Sequence, residues 1–469
     1  MLINRNISVP LFIFIFFSCF IFSCRKEDKI DTSPAYKLTF STDTVYFDTI
    51  FSTIGSVTQQ LRVFNNNNHK LNISSIRLAG GESSNFRVNI NGNSSLYVTN
   101  VEIPAHDSIF IFVKVTVDPK NKNLPFIVSD SLLFMTNGNQ QTIKLVAWGQ
   151  DAIFHKKEVL KGSVTWDSTL PHVIYGPLRV DTSANLTIMP GTKIYFHKSS
   201  YLVVSKDATL KILGNLDHPV RLQGDRLDPY YCDLPGQWDG ILLEKGSKDD
   251  EIDYAIIKNG NWGIEIDSST SNNPMLKLDN TIIQNITNSG LYAYATSITS
   301  TNCVISNCGA SALALTFGGS YDFRQLTIGN YWVNSVRLGK SLYLSNYTYD
   351  NYGNKKYNPM NNAFFGNCII YGNDDEEIQY DTVPSVGFQH VLDHCLLKTQ
   401  LRLTNTQYYP GSFANKEPGF VNPDNYDLRI DSTSAAIGKG VNRGVLYDLK
   451  GIQRPDPPSL GAYEYVKTR

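Results

Sequence analysis

The feature that most restricts this chain is a repeat of about two dozen residues that carries strands and turns but no helix. Ala255-Ile256-Ile257-Lys258-Asn259 returns as Thr281-Ile282-Ile283-Gln284-Asn285, Cys303-Val304-Ile305-Ser306-Asn307 and Leu326-Thr327-Ile328-Gly329-Asn330. The Asn-to-Asn spacings are 26, 22 and 23 residues. Four or five residues after each Asn come a small residue and then an apolar one: Gly263-Ile264, Gly290-Leu291, Ala312-Leu313 and Ser335-Val336. Two shorter copies follow at Cys368-Ile369-Ile370 and Cys395-Leu396-Leu397. A period of this length means a solenoid, and one built from strands alone stacks parallel rungs, one coil per repeat.

Strand alternation then assigns faces. The third position is always Ile or Leu and must point inward. The first position has the same parity, so Cys303, Cys368 and Cys395 read as small core residues. Cys368 and Cys395 fall on successive rungs, which admits a disulfide without requiring one. The second position has outward parity yet holds Ile256, Ile282, Val304, Thr327, Ile369 and Leu396. An apolar stripe of that length needs a cover or a partner. The expected cover is the Tyr-rich insertion near 343–360. The alternative is that its Tyr343, Tyr347, Tyr349, Tyr352 and Tyr357 form a recognition surface, because Tyr combines flat apolar area with a hydroxyl. Tyr254, Asn280, Asn302, Gln325, Asn367 and His394 extend the outward parity, and the recurrent Asn reads as a ladder bonding its own turn.

A different pattern occupies 37–151. Short alternating strands, such as Gln60-Leu61-Arg62-Val63-Phe64 and Ser108 to Val115, are separated by turns such as Asn65-Asn66-Asn67-Asn68 and Asn137-Gly138-Asn139. About seven such strands predict an immunoglobulin-like β-sandwich. The fold class expected is therefore all-β: an N-terminal immunoglobulin-like sandwich, then a right-handed parallel β-helix over 157–469 with a C-terminal cap.

The N-terminus predicts export. Arg5 precedes an apolar run from Val9 to Phe22, which is signal-peptide length and short of the roughly 20 residues that span a bilayer. Ile21-Phe22-Ser23-Cys24 resembles the lipobox of bacterial lipoproteins. That resemblance implies a signal peptide over 1–23, diacylglycerol on Cys24, and outer-membrane lipid as a partner. Arg25-Lys26-Glu27-Asp28 looks like the surface-export signal of Bacteroidota-type lipoproteins, so Lys26, Glu27 and Asp28 are the expected address. They sit in a tether over 24–36. The alternative is an ordinary charged linker.

Further resemblances cover the body. The order "FDTIFSTIGSVTQQLRVFNNNNHKLNISSI", "FRV", "IPAHDSIFIFVKV" is similar to the domain of choice-of-anchor and cilia-associated proteins, a spacer or interaction module. "LTIMPGTKIYF", "LPGQWDGILL", "IDYAIIKNGNWGIEI" and the ending "LGAYEY" resemble right-handed parallel β-helix surface lipoproteins. That family implies a scaffold and no fixed reaction.

Chemistry is harder to find. The formal net charge of −1 gives no basic face for nucleic acid. Five Cys beyond Cys24 and eight scattered His supply neither a paired disulfide framework nor zinc-ligand spacing. No cofactor is expected. Calcium is the one ion the acidic runs Asp249-Asp250 and Asp374-Asp375-Glu376-Glu377 would suit, although solvated turns are the simpler reading. Arg324 and Lys340 read as isolated cations, and Trp238 as a packing residue or a sugar platform. The leading expectation is a non-enzymatic glycan-binding or adhesive surface module, with an extended polysaccharide or a surface protein as partner. The alternative is a polysaccharide lyase or glycoside hydrolase, for which His394 and Asp374 are the catalytic candidates. A structural spacer is the third.

Overall fold

The computed structural model describes residues 29–51, 55–118, 126–228, 230–268 and 275–467. The signal peptide, Cys24, Lys26, Glu27 and Asp28 lie outside the described residues. The chain divides into two compact units after Gln150.

The first unit is a β-sandwich. Strands Thr39–Phe40, Gln59–Asn65, Asp107–Val115 and Phe86–Ile90 form one antiparallel sheet. Thr44–Phe51, Asn139–Gln150, Phe126–Thr136, Leu71–Leu78 and Tyr97–Ile103 form the other. Alternation is plain in Asp107–Val115, where Ile109, Ile111, Val113 and Val115 are buried. These inner residues share one core with Phe47, Phe86 and Phe134 from both sheets.

The second unit is a parallel β-helix with three sheets. Eleven parallel strands of the first sheet are described, from Ile153–Lys156 to Phe413–Ala414. The countable repeat is this sheet: Ile257, Ile283, Ile305, Ile328, Ile370 and Leu397 stand in register and are at most 1% exposed. Burying each such side chain contributes about 1.5–3 kcal/mol. The second sheet runs from Val159–Leu160 to Ile378–Asp381 and the third from Ser163–Trp166 to Val391–Asp393. They join because Leu291–Thr301 and Leu313–Arg324 bend through the corner between them.

The corners depart from the expected parity. Tyr254, Asn280, Asn302, Gln325, Asn367 and His394 all have φ between +44° and +56°. They are left-handed turn residues between the third and first sheets, not strand residues on an outer face. Asn tolerates that conformation better than most side chains. The other Asn column sits inside the molecule and bonds from coil to coil. Asn285 Nδ2 donates to Asn259 Oδ1 and Asn307 Nδ2 to Asn285 Oδ1, each at 2.8 Å.

The outward apolar stripe is covered, but not by the Tyr-rich insertion. Its cover is the C-terminal segment. Leu428, Leu449, Ala462 and Tyr463 pack on Val304 and Ile282. Ile430, Ala436 and Leu460 pack on Ile369 and Leu396. Polar bonds fasten this strap: Ala462 N donates to Thr327 Oγ1 at 2.8 Å, and Asn367 Nδ2 to Val441 O at 2.7 Å. At its centre Arg454 pairs with Glu464 at 3.4 Å, with both side chains buried. Arg454 also donates to Asn302 Oδ1 at 2.9 Å.

Candidate functional site

The outer face of the second sheet carries a run of aromatic rings that the core does not use. Ile264–Ile266, Leu291–Thr301, Leu313–Arg324, Leu342–Ser345 and Ile378–Asp381 follow one another in register there. Ile264, Leu291, Leu313, Leu342 and Ile378 point into the core. One residue on, the chain turns outward at Glu265, Tyr292, Ala314, Tyr343 and Gln379. Trp262 meets Tyr292 edge-on at 5.8 Å between centroids, and Tyr294 stacks on Phe317 at 5.0 Å. Four successive coils therefore each present an aromatic ring, and all of these rings are half-buried.

The insertion extends this face. Tyr347–Tyr349 and Lys355–Tyr357 form an antiparallel hairpin. Asp350 Oδ1 closes its turn by accepting from Tyr352 N and Asn354 N at 2.9 Å each. Asp381 fixes the base, accepting from Tyr343 and Tyr347 hydroxyls at 2.9 Å. Burial and then this carboxylate raise the Tyr343 phenol well above its ordinary value. The bond to Asp381 pushes Tyr347 up to about 12. Lys355 Nζ lies 4.2 Å from the Tyr347 ring centroid, a cation–π contact. Of the five predicted tyrosines, Tyr343 and Tyr347 are thus locked in place. Tyr349, Tyr352 and Tyr357 are displayed, with Tyr352 at the tip 90% exposed.

A concavity of about 540 Å³ lies between the third sheet and the strap. Tyr254, Asn280, Asn302 and Arg324 from four coils line one side, and residues 443–448 the other. Its charged groups are already engaged, Asp448 by the backbone N–H groups of Lys450, Ile452 and Glu464. Arg324 grips Asp322 at 2.8 and 3.0 Å, Asp279 pairs with Lys277 at 3.4 Å, and Arg443 pairs with Asp393. It is a polar groove without a free ion.

The two catalytic candidates are committed elsewhere. On a regular strand His394 would diverge from Asp393, as consecutive residues do. Its left-handed backbone instead folds the imidazole back, so Nδ1 meets Asp393 Oδ1 at 2.5 Å. Arg443 holds the other oxygen of Asp393, and Gly411 lies against the ring so closely that a Cβ there would be 2.6 Å from Nε2. Asp374 pairs with Arg337 at 2.6 Å and Lys340 at 2.9 Å. Those two cations lower its pKa against the opposing effect of burial. Glu377 in the same run is fully buried, held by Arg337 at 2.8 Å and Ser341 at 2.6 Å. The run is an ion-pair network rather than a solvated turn, and His394 and Asp374 share no partner.

Two other expectations, the solvated Asp249-Asp250 turn and the isolated cations, need the same correction, and Trp238 takes the packing role. Asp250 begins a strand, is 2% exposed, and accepts from Leu210 N at 2.7 Å and Ser247 Oγ at 2.8 Å. Burial pushes its carboxyl up to about 7. Lys340 and Arg324 have the partners named above. Trp238 is a packing residue: it is fully buried, stacks on Phe196 at 4.0 Å and donates to Lys258 O at 2.9 Å.

Trp262, Glu265, Tyr292 and Tyr294 were not anticipated. Glu265 and Tyr292 each lie two residues after the small residue of their repeat, at Gly263 and Gly290. That common phase was the signal available.

No protein-family model matches this sequence. No curated protein matches it. Among solved structures it is similar to a family 123 glycoside hydrolase from Clostridium perfringens, at 8% identity and TM-score 0.19, over 25% of this chain and 30% of that one. It is also similar to the ASH/PapD-like domain 7 of human CEP192, at 11% identity and TM-score 0.18, over 27% of this chain and 91% of that domain. Overlaps this slight bear on neither fold nor activity. The class is set by the architecture alone: an all-β protein with a sandwich followed by a parallel β-helix.

Proposed function

We propose that this chain is a cell-surface lipoprotein, anchored through Cys24, whose β-helix binds an extended glycan without processing it. The immunoglobulin-like sandwich acts as a spacer behind the tether. One observation carries the reading: aromatic rings on four successive coils of one outer face, continued by the Tyr349, Tyr352 and Tyr357 hairpin. Coils rise about 4.8 Å each, so the four span about 14 Å, a length suited to several sugar rings lying along the stack. Rings that are half-buried and held by neighbours lose little entropy on stacking against a sugar.

The full-length chain in detergent micelles should be retained by at least one immobilised polysaccharide. Trp262→Ala and Tyr292→Ala should each weaken retention about tenfold. A blank panel would favour the spacer role, and release of unsaturated products or reducing ends would make the protein an enzyme.

The anchor is tested separately. Cys24→Ala should release the protein from membranes. Joint replacement of Lys26, Glu27 and Asp28 should leave it anchored but shielded from protease on intact cells. Digestion of that triple variant on intact cells would refute the export signal.

A further inference from the structure

We infer that Glu265 is the polar grip of the aromatic face, and that the glycan accepted there is neutral and hydroxyl-rich rather than a polyuronate or a sulfated polymer. The inference rests on the glycan-binding reading above and adds the chemical class.

Glu265 occupies the outward position of Ile264–Ile266, with Leu242 in register on one side and Tyr292 on the other. Trp262, three residues earlier, packs its ring against that same Tyr292. The carboxylate is therefore half-buried among apolar groups, and burial alone raises its pKa. No hydrogen bond or ion pair reaches it among the described residues. Neighbouring acids differ. Glu244 is held by Arg179 at 2.9 and 3.0 Å, Asp381 by two tyrosines, and Asp267 by the N–H of Ser268 at 2.5 Å. An unpaired, partly desolvated carboxylate is costly unless donors arrive to satisfy it. Sugar hydroxyls stacked over Trp262 and Tyr292 would be such donors.

The sign of the face excludes the acidic polymers. Glu265, Asp267 and Asp381 lie on it, and Lys355 is already seated over Tyr347 and Tyr349. A uronate or sulfate would meet like charge where water is partly excluded and screening is weak.

The test uses the full-length chain in micelles against galactomannan, xyloglucan and dextran as neutral probes, and polygalacturonate and alginate as acidic ones. At pH 7.5 a neutral polymer should be bound at least tenfold more tightly than either acidic one. Glu265→Gln should weaken neutral binding about tenfold and narrow the gap to the polyuronates. Wild-type affinity for the neutral polymer should fall as acidification protonates Glu265, and the Gln variant should show a flatter profile. Its thermal midpoint should match or exceed wild type, since no native bond is removed. Two outcomes overturn the inference while leaving glycan binding intact. One is tighter binding of a polyuronate. The other is a Gln variant that binds like wild type when Trp262→Ala does not. Retention of no polymer overturns both readings.

Discussion

Glu464→Gln is expected to cost about 3–5 kcal/mol of stability, because it removes the only carboxylate paired directly with a buried guanidinium among the described residues. Arg454 and Glu464 sit at the centre of the strap, with side chains 2% and 4% exposed. Burial already lowers the pKa of Arg454. The guanidinium keeps Asn302 Oδ1 and Gly461 O as acceptors, but neither supplies a charge. Glu464 also accepts from Ser459 N at 3.0 Å, so the substitution loosens the 459–464 turn as well. Urea denaturation should show the loss as a lower midpoint. Limited proteolysis should cut the strap first, since the stripe it covers would then hold it by apolar contact alone. The double replacement Arg454→Met with Glu464→Leu should recover most of the loss, because removing both charges removes the desolvation cost. A Gln variant that denatures with wild type would show that the pair contributes nothing.

His390→Phe should make the protein more acid-resistant by about 2 kcal/mol when stability is compared at pH 5 and pH 7.5. His390 is 9% exposed, stacks on Tyr408 at 4.7 Å, and lies within 4.9 Å of the Tyr380 and Phe388 ring centroids. Its Nδ1 has no partner. Burial holds its pKa down to about 4, so the folded state keeps the ring neutral while the unfolded chain protonates it near 6.5. The stability it supplies is complete above pH 6.5 and declines as pH falls toward 4. His172, stacked on Trp166 at 4.1 Å and bonded to His155 at 2.8 Å, is also held to about 4 by burial and behaves alike. Asp250 opposes both. Its carboxyl is raised to about 7, so its contribution is complete below about pH 4 and lost as pH rises through 7. A wild-type acid titration reports these three groups together with the other shifted ones, Glu265, His197 and Asp374 among them. The difference between wild type and His390→Phe isolates one of them, and urea midpoints at the two pH values give it. An equal difference at both values would mean that the imidazole is not held neutral.

Much of the architecture was legible because inward positions obey a strict rule. Ile257, Ile283, Ile305, Ile328, Ile370 and Leu397 must fill one column, so the repeat alone sets the first sheet in register. Parity failed one residue before each strand. At Tyr254, Asn280 and His394 the backbone has already turned left-handed, and alternation has no meaning at a corner. The error carried into chemistry, because it is the turn at His394 that brings Asp393 to its ring. The acidic run was misread for a related reason. Asp374 and Glu377 find Arg337 and Lys340 on the preceding coil, and sequence does not say which loops lie over one another. The aromatic face needed the same knowledge. Trp262, Tyr292, Phe317 and Tyr343 come from coils of unequal length, so their alignment appears only once each coil is closed.

The strap changes how such a stack can come apart. Coils that touch only their neighbours can fray one at a time from either end and can begin folding anywhere. Here Asn302 bonds to a residue 152 positions later, and Thr327 to one 135 positions later. The strap is thus a missing wall of coils made long before it, and their apolar stripe stays wet until it arrives. Strands Ile282–Ile286 to Leu396–Leu397 and the strap should then open as one cooperative unit. Their amides would exchange together, later than those of the Lys193–Phe196 coil, which no residue of the strap's apolar clusters touches.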